Sequence, residues 1–173
     1  MGNVMVRPSF EDIYREQYDR VYKYAYTLFL NREDAEDVVQ ETFISAYRHY
    51  DSFDPARGSV GAWLCRIAHN KAVDQMRSPA FRLRAEWPET EGFGEEDRAI
   101  ARLSEVNETV LFLYARLSEE EREFLNMRYV LELKDAEVAD ILGLKEKTVN
   151  KRYQRLLQKC LKILSPNDAQ DRI

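Results

Sequence analysis

The sequence predicts an all-α fold in which two small helical domains are joined by an acidic linker. Apolar residues recur at spacings of three and four along most of the chain, which is the pattern of amphipathic helices. The 173 residues include only 6 glycines and 5 prolines, too few for the many turns of an all-β fold. A segment rich in acids, proline and glycine interrupts the helical pattern, so we place the domains at residues 1–77 and 108–173 and the linker at 78–107.

Composition and charge narrow the class of function. No apolar stretch reaches the length of a signal peptide or the roughly 20 residues of a membrane span, so we expect a cytoplasmic protein. The net charge of −5 conceals two basic blocks, because residues 57–84 hold six basic residues and one acid, and residues 145–162 hold seven and one. Residues 86–108, between them, hold eight acids and two basic residues. This distribution predicts two surfaces that face a polyanion such as nucleic acid.

The first domain begins with a predicted helix over about residues 10–30. Its apolar positions are Phe10, Ile13, Tyr14, Tyr18, Val21, Tyr22, Ala25 and Leu28. Asn31 is the expected N-cap of a second helix, with Glu33 in the first turn, where a negative charge suits the helix dipole. We assign the apolar stripe of this second helix to the core; it consists of Ala35, Val38, Val39, Thr42, Phe43, Ala46, Tyr47 and Tyr50.

Another face of the second helix mixes acids with one exposed aliphatic side chain. It carries Asp37, Gln40, Glu41, Ile44 and Arg48, about one turn apart. Taken alone, this pattern is typical of a solvated helix surface.

A turn-forming segment with Pro55 and Gly58 ends the second helix, and Ser59 is expected to cap a third one over residues 60–77. The predicted buried stripe of the third helix is Val60, Trp63, Leu64, Ile67 and Ala68. Its opposite, polar face carries Arg66, Asn70, Asp74 and Arg77.

The second domain is predicted to end in a helix-turn-helix. A helix that starts near Asp97 continues through Val110–Arg116, and Ser118 with Glu121 forms a capping box for a helix over residues 121–131. The helix-turn-helix spacing then follows in Val138, Ala139, Leu142, Gly143, Leu144, Val149 and Tyr153. Gly143 is expected in the left-handed turn conformation, which carries no Cβ penalty for glycine.

The outer surface of the last helix is almost free of acids, since only Glu146 lies near its start. Its exposed positions are Lys147, Thr148, Asn150, Lys151, Gln154 and Arg155. Such side chains bind base edges and phosphates in a major groove. Three-helix bundles that do not bind DNA share this spacing, so that alternative stays open at this point.

The sequence offers no recognisable catalytic or metal site. The only cysteines and histidines, Cys65, Cys160, His49 and His69, lack the spacing of a zinc site or a disulfide framework, so we expect reduced, partly buried thiols. No paired catalytic carboxylates, nucleophile triad or glycine-rich phosphate loop stands out. The sequence therefore predicts a binding protein rather than an enzyme, with no cofactor and no metal.

Three segments, in order and spacing, resemble the extracytoplasmic-function (ECF) group of the sigma-70 family of RNA polymerase sigma factors. Asp34–Arg48 is similar to the core-binding segment of that family, Phe53–Asp74 to its promoter-melting segment, and the helix-turn-helix to its promoter-upstream reader. The resemblance covers the chain apart from the linker and the tails. It implies a sigma region 2 bundle at 1–77, a sigma region 4 at 108–173, and an alternative sigma factor that binds core RNA polymerase and directs promoter-specific initiation.

The resemblance also implies roles for individual residues. The residues implied to dock on the polymerase are Asp37, Gln40, Glu41 and Ile44. Those implied to hold the unpaired minus-10 strand of the promoter are Phe53, Arg57, Arg66, Asn70, Lys71 and Arg77. Those implied to bind the minus-35 duplex are Lys147, Thr148, Asn150, Lys151, Gln154 and Arg155. We expect Trp63 to be a core residue rather than a stacking one. The linker is expected to thread toward the polymerase active-site channel.

The chain departs from the family where the recognition helix starts. Relatives often have Ser or Pro with a small residue there, whereas this chain has Lys145–Thr148, so we expect a different helix start and a different upstream preference. The resemblance implies an anti-sigma factor as a further partner. Two alternative functions stay open: a helix-turn-helix regulator that binds duplex DNA alone, and a sigma mimic that sequesters an anti-sigma factor.

Overall fold

A computed structural model describes residues 7–56, 58–86 and 108–165, and helices are the only regular secondary structure in these ranges. The predicted all-α class is therefore confirmed. The chain divides into two compact units, Met1–Gly92 and Phe93–Ile173. Each unit is built from helices that pack along one apolar face.

The described residues of unit 1 form four α-helices and a short 3-10 turn. They are α1 (Phe10–Phe29), α2 (Arg32–Arg48), the turn Tyr50–Ser52, α3 (Val60–Arg77) and α4 (Pro79–Glu86). The first three α-helices begin and end within a residue or two of the predicted bounds. Helix α4 falls inside the range that we assigned to the linker, and its Phe81 ring packs against Phe29 of α1 with the ring centroids 5.6 Å apart. The rest of the predicted linker, residues 87–107, lies outside the described residues.

Each long helix of unit 1 begins at a capping side chain. The oxygens of Ser9, Asn31 and Ser59 accept hydrogen bonds from backbone N–H groups three residues further on, at 3.1, 3.0 and 3.1 Å. Such caps satisfy donors that the first helical turn leaves unpaired. Between α1 and α2 the chain reverses at Leu30, which takes a left-handed φ of 54°.

The core of unit 1 forms where α1 packs on both α2 and α3. The last turns of α1, from Tyr24 to Phe29, are buried throughout. Helix α2 buries Ala35, Val38, Val39, Thr42, Phe43 and Ala46, as predicted. The prediction was wrong for Tyr47, which is 69% exposed, and Tyr50 of the same predicted stripe is only half-buried.

Helix α3 packs through a stripe that is rotated slightly from the predicted one. Leu64 and Ala68 are buried as expected, together with Cys65 and Ala72. Val60, Trp63 and Ile67 are only half-buried. A side-chain hydrogen bond of 2.9 Å from Gln75 to the buried Asp34 carboxylate ties α3 to the start of α2.

Unit 2 contains four described helices, α5 (Glu108–Tyr114), α6 (Glu119–Tyr129), α7 (Asp135–Leu142) and α8 (Glu146–Leu164). The predicted capping box is present at the start of α6, where Ser118 and Glu121 exchange side-chain and backbone hydrogen bonds of 3.0 and 3.2 Å. The predicted left-handed turn is also present, with Gly143 at a φ of 64°. Residues 97–107, where we expected the helix before α6 to start, lie outside the described residues.

Helices α6 and α8 supply much of the described core of unit 2. Helix α8 buries Val149, Tyr153, Leu156 and Cys160 at helical spacing, and the Tyr153 ring lies 4.3 Å from that of Phe124 in α6. Cys65 and Cys160 are buried thiols outside any disulfide, as expected, and burial raises the pKa of the Cys160 thiol.

We predict that Tyr153→Phe will not destabilise unit 2. The buried Tyr153 hydroxyl has no hydrogen-bond partner among the described residues, and burial raises its pKa. An unpaired buried hydroxyl costs free energy, so its removal should leave the free energy of unfolding unchanged or raise it by about 1 kcal/mol. Urea unfolding followed by circular dichroism measures this. Tyr50→Phe is the matched control, because the Tyr50 hydroxyl donates to the Pro8 carbonyl and its loss should destabilise unit 1. A clear loss of stability in Tyr153→Phe would contradict the prediction.

A second prediction concerns Glu121, which receives hydrogen bonds from Lys159 at 2.6 Å and from the Ser118 backbone at 3.0 Å. Burial disfavours the ionised form, but the bonds from Lys159 and Ser118 outweigh it and lower the pKa of this carboxyl below its ordinary value. The stability that the Glu121 charge contributes is therefore fully present above the pKa that this carboxyl has in the unfolded chain. It is lost as the pH falls through the lower pKa that the carboxyl has in the folded protein.

We expect the melting temperature of the parent protein to fall more than that of Glu121→Gln between pH 7 and pH 3. Glutamine can still close the capping box, so only the charge is removed. Thermal melts at several pH values, with Glu120→Gln as a control on an exposed neighbour, provide the measurement. Parallel curves for the parent and Glu121→Gln would refute this role of the charge.

Candidate protein-binding and nucleic-acid-binding surfaces

Four neighbouring residues of α2, three polar and one aliphatic, lie on its exposed side. Asp37, Gln40, Glu41 and Ile44 are all exposed on the side of α2 opposite to its buried stripe, and Ile44 is 37% exposed. We call these four residues the acidic face. They are the residues that the sequence predicted to dock on a protein partner. Two carboxylates beside an exposed aliphatic side chain suit a partner that offers basic groups around an apolar spot.

An open groove between α1 and α2 continues the acidic face. Its aromatic wall consists of Phe10, Tyr14, Tyr18, Phe43 and Tyr47, its volume is about 790 Å³, and Gln40 and Ile44 of the acidic face also line it. We call it the aromatic groove. The Phe10 and Tyr47 rings meet edge to face at 5.1 Å, and those of Tyr14 and Phe43 at 4.7 Å.

Tyr47 is the residue of this region that sequence reasoning missed. It was assigned to the core, yet it is the most exposed aromatic residue of the groove. Its position three residues after Ile44 and seven after Gln40 places it on their side of the helix, and this spacing was the available signal. An exposed tyrosine beside an exposed isoleucine is a typical composition for the centre of a protein interface.

The polar face of α3 lies next to the acidic face. Arg66, Asn70 and Arg77 are exposed, as predicted, whereas Lys71 is half-buried and its Nζ lies 3.5 Å from Oε2 of Glu41. A cavity of about 200 Å³ between α2 and α3 is lined by Asp37, Val38, Glu41, Lys71, Asp74 and Gln75. A predicted nucleic-acid contact and a predicted protein contact therefore form an ion pair in this chain.

The structure buries most of Phe53, one of the residues that the resemblance implies to hold the minus-10 strand. This side chain is only 7% exposed, and its ring packs on that of Trp63 with the centroids 5.0 Å apart. A ring held in this way cannot offer a face to a nucleic-acid base. Trp63 itself is half-buried in the same contact, which agrees with its assignment to packing. Arg57, another predicted contact, lies outside the described residues.

The outer side of α8 presents the third surface. Lys147, Asn150, Lys151, Gln154 and Arg155 are exposed and Thr148 is half-buried, while Val149 and Tyr153 face the core. We call these six polar residues the basic face. Lys145 occupies the N-cap position without a side-chain hydrogen bond, which agrees with the unusual helix start expected from the sequence. The face combines amide groups, which suit base edges, with cations, which suit phosphates.

The described residues give no sign of two other kinds of site. Within residues 7–56, 58–86 and 108–165 no three His, Cys, Asp or Glu side chains gather in a way that could hold a metal ion. In the same ranges, no helix combines the length and apolarity that crossing a membrane would take.

Comparison with known families and proteins gives the same division of the chain. Residues 13–81 match the family model for Sigma-70 region 2, and residues 108–160 match the one for Sigma-70, region 4. These two stretches contain the acidic face and the polar face of α3 in unit 1, and the basic face in unit 2. The predicted pairing of a region 2 bundle with a region 4 helix-turn-helix is thereby confirmed.

Alignments with individual relatives span most of the chain. The chain is 32% identical over 160 residues to the ECF RNA polymerase sigma factor SigW of Bacillus subtilis, covering 85% of this chain and 84% of SigW. It is 31% identical over 166 residues to the ECF RNA polymerase sigma factor BldN of Streptomyces coelicolor, covering 93% of this chain but only 62% of BldN. Among solved structures, CnrH in complex with the cytosolic domain of CnrY is 28% identical, with a TM-score of 0.62 over 90% of this chain and 86% of that one.

Proposed function

The chain belongs to the ECF group of the sigma-70 family, and we infer that it is an alternative sigma factor, which joins core RNA polymerase and directs it to particular promoters. The observation that carries this inference is the presence of both sigma regions in one chain, the first with an exposed acidic face and the second with an exposed basic face. The protein acts by binding, and the polymerase performs the chemistry. Its place of action is the cytoplasm, where the polymerase works.

The acidic face is the proposed docking site for the polymerase. Asp37 and Glu41 pair with basic residues of the polymerase, while Ile44 loses its exposed area to the partner. The aromatic groove extends this contact, because Tyr47 lies on the same side of α2 and has most of its ring available. Charged contacts at the rim and aromatic or aliphatic contacts at the centre are the usual division of a protein interface.

The ion pair between Glu41 and Lys71 links docking to the handling of DNA. The Glu41 side chain is 60% exposed, and ion pairs of this kind contribute at most about 1 kcal/mol. Glu41 can therefore exchange Lys71 for a polymerase cation at little cost. The exchange leaves the Lys71 ammonium available to a phosphate of the promoter strand.

The polar face of α3 is the proposed holder of the unpaired minus-10 strand. Arg66, Lys71 and Arg77 contact phosphates, and Asn70 supplies a donor and an acceptor to the edge of a base that has left the stack. Arg57 belongs to the same proposed set. Phe53 does not, because its ring is occupied by Trp63.

The basic face of α8 is the proposed reader of the minus-35 duplex. A second helix of a helix-turn-helix enters the major groove with its outer side, where Asn150 and Gln154 reach base edges and Lys147, Lys151 and Arg155 reach phosphates. A protein that restrains this activity, an anti-sigma factor, is a further proposed partner. It is supported by two solved complexes of chains with the same fold, CnrH with the cytosolic domain of CnrY and the sigma factor RpoE of Bartonella quintana with the anti-sigma factor NepR.

Run-off transcription with purified core polymerase tests the function directly. We expect the full chain to produce discrete transcripts from a subset of genomic fragments that core polymerase alone does not transcribe.

Charge reversal at Asp37 and Glu41, each to Lys, should weaken core binding by more than about thirtyfold, because the new charges repel the cations that the carboxylates meet. Tyr47→Ser should weaken it by about tenfold through loss of buried aromatic area.

Co-purification and binding titrations with core polymerase measure these effects. Glu16→Lys is the control, since Glu16 is an exposed acid on α1 outside both the acidic face and the aromatic groove. Circular dichroism should show all variants folded, because the altered side chains are exposed. Undiminished binding of the Asp37 and Glu41 variants would rule out the acidic face as the docking site.

Asn70→Ala should impair strand opening more than duplex binding. The Asn70 amide acts only on a base that has left the stack. Its loss should therefore reduce the permanganate reactivity of the melted region by about fivefold when promoter occupancy is equal, a factor that corresponds to the loss of one hydrogen bond. Asp74→Ala, on the same exposed face, serves as the control. Equal losses in opening and in closed-complex formation would contradict the role of Asn70.

A further inference from the structure

Asp135, the first residue of α7, lies between the two other helices of the helix-turn-helix region. Its Oδ1 accepts a hydrogen bond from Nη1 of Arg128 in α6, and its Oδ2 accepts one of 3.5 Å from Nδ2 of Asn150 in α8. The Asp135 side chain is only 19% exposed. The two oxygens of one carboxylate thus contact side chains of two different helices.

Contacts of Arg128 hold the Asp135 carboxylate in place. The Arg128 guanidinium, which binds it, also lies over the Tyr153 ring at 4.6 Å from the centroid, and Tyr153 is buried in the core. The cation–π contact with Tyr153 positions the Arg128 guanidinium. The charge-assisted hydrogen bond from that guanidinium then positions the Asp135 carboxylate. Asn150, by contrast, is an exposed member of the basic face.

This contact distinguishes the two ends of the Asn150 amide. A carboxylate can only accept hydrogen bonds, so it selects the orientation in which the NH2 group of Asn150 points to Asp135. The Oδ1 acceptor and the second N–H of the amide are then left for another partner. Without Asp135, the amide could turn over and present its donor end instead.

We propose that Asp135 is a positioning residue for sequence recognition, which fixes the Asn150 amide so that it reads an adenine in the minus-35 duplex. The adenine edge in the major groove offers an N6 donor and an N7 acceptor, which match the Oδ1 acceptor and the remaining N–H of Asn150. The proposal rests on the proposed function, in which α8 enters the major groove. Asp135 itself touches no base.

A purely structural role does not account for the contact with Asn150. The Asn150 amide is solvated, so it needs no protein partner to satisfy it, and one exposed hydrogen bond adds little to stability. What the contact changes is the direction of the amide. The base preference at a single promoter position is therefore the property that should depend on it.

The test is promoter selection by the full chain in complex with core polymerase, using templates randomised in the upstream element. Asn150→Ala identifies the position that Asn150 reads, where the parent protein should prefer adenine by about tenfold or more. Asp135→Ala should reduce the preference at that position to about threefold or less and leave the other upstream positions unchanged. Asp135→Asn, whose amide oxygen still accepts from Asn150, should retain most of it. In the Asn150→Ala background, Asp135→Ala should have no further effect on base preference.

The outcomes separate this proposal from the proposed function. If a position depends on Asn150 but not on Asp135, or if Asp135→Ala weakens all upstream sequences equally, the positioning role is overturned and the function stands. A preference for a base other than adenine at the Asn150 position overturns the assigned specificity. If the parent protein selects no promoter with core polymerase, the proposed function fails and this proposal fails with it.

Discussion

The packing of α2 between α1 and α3 is the constraint on which the surfaces of unit 1 depend. Side chains leave a helix about 100° apart, so once Ala35, Val38 and Ala46 are buried, the directions of all other residues of α2 are fixed. The acidic face, the aromatic groove and the partner of Lys71 are all consequences of that one rotation. A change that rotated α2 would move all three together, which makes the buried stripe as important to binding as the exposed residues.

Charge in this protein acts locally rather than through its net value. Pairs such as Arg32 with Glu36 lie along one exposed helix and add little to stability. The contacts of Glu41 with Lys71 and of Asp135 with Arg128 and Asn150 are different, because each joins two helices and includes a residue proposed to meet a partner. Their value is in the direction that they give to a functional side chain, a property that a count of ion pairs does not capture.

Local signals made much of the fold predictable from the sequence. The caps at Asn31 and Ser118 and the turn at Gly143 depend on residues within four positions, and all three were found. Tyr47 was misassigned because its spacing fits the edge of the apolar stripe as well as the exposed side, and spacing within one helix does not distinguish the two. The burial of Phe53 depends on Trp63 in the next helix, a contact that the segment around Phe53 does not reveal. The contact of Asp135 with Asn150 spans fifteen residues and depends on the angle between α7 and α8, which spacing alone does not encode.

Weak individual surfaces suit a protein that should engage DNA only as part of a larger complex. With a net charge of −5, the chain has little general attraction for a polyanion, although residues 57–84 and 145–162 together hold half of its 26 basic residues. Each face alone makes few phosphate contacts. Under the proposed function, attachment to the polymerase through the acidic face would convert binding of each DNA element into an intramolecular step, in which effective concentration replaces intrinsic affinity. A low affinity of the separate surfaces would then make promoter recognition follow assembly with the polymerase.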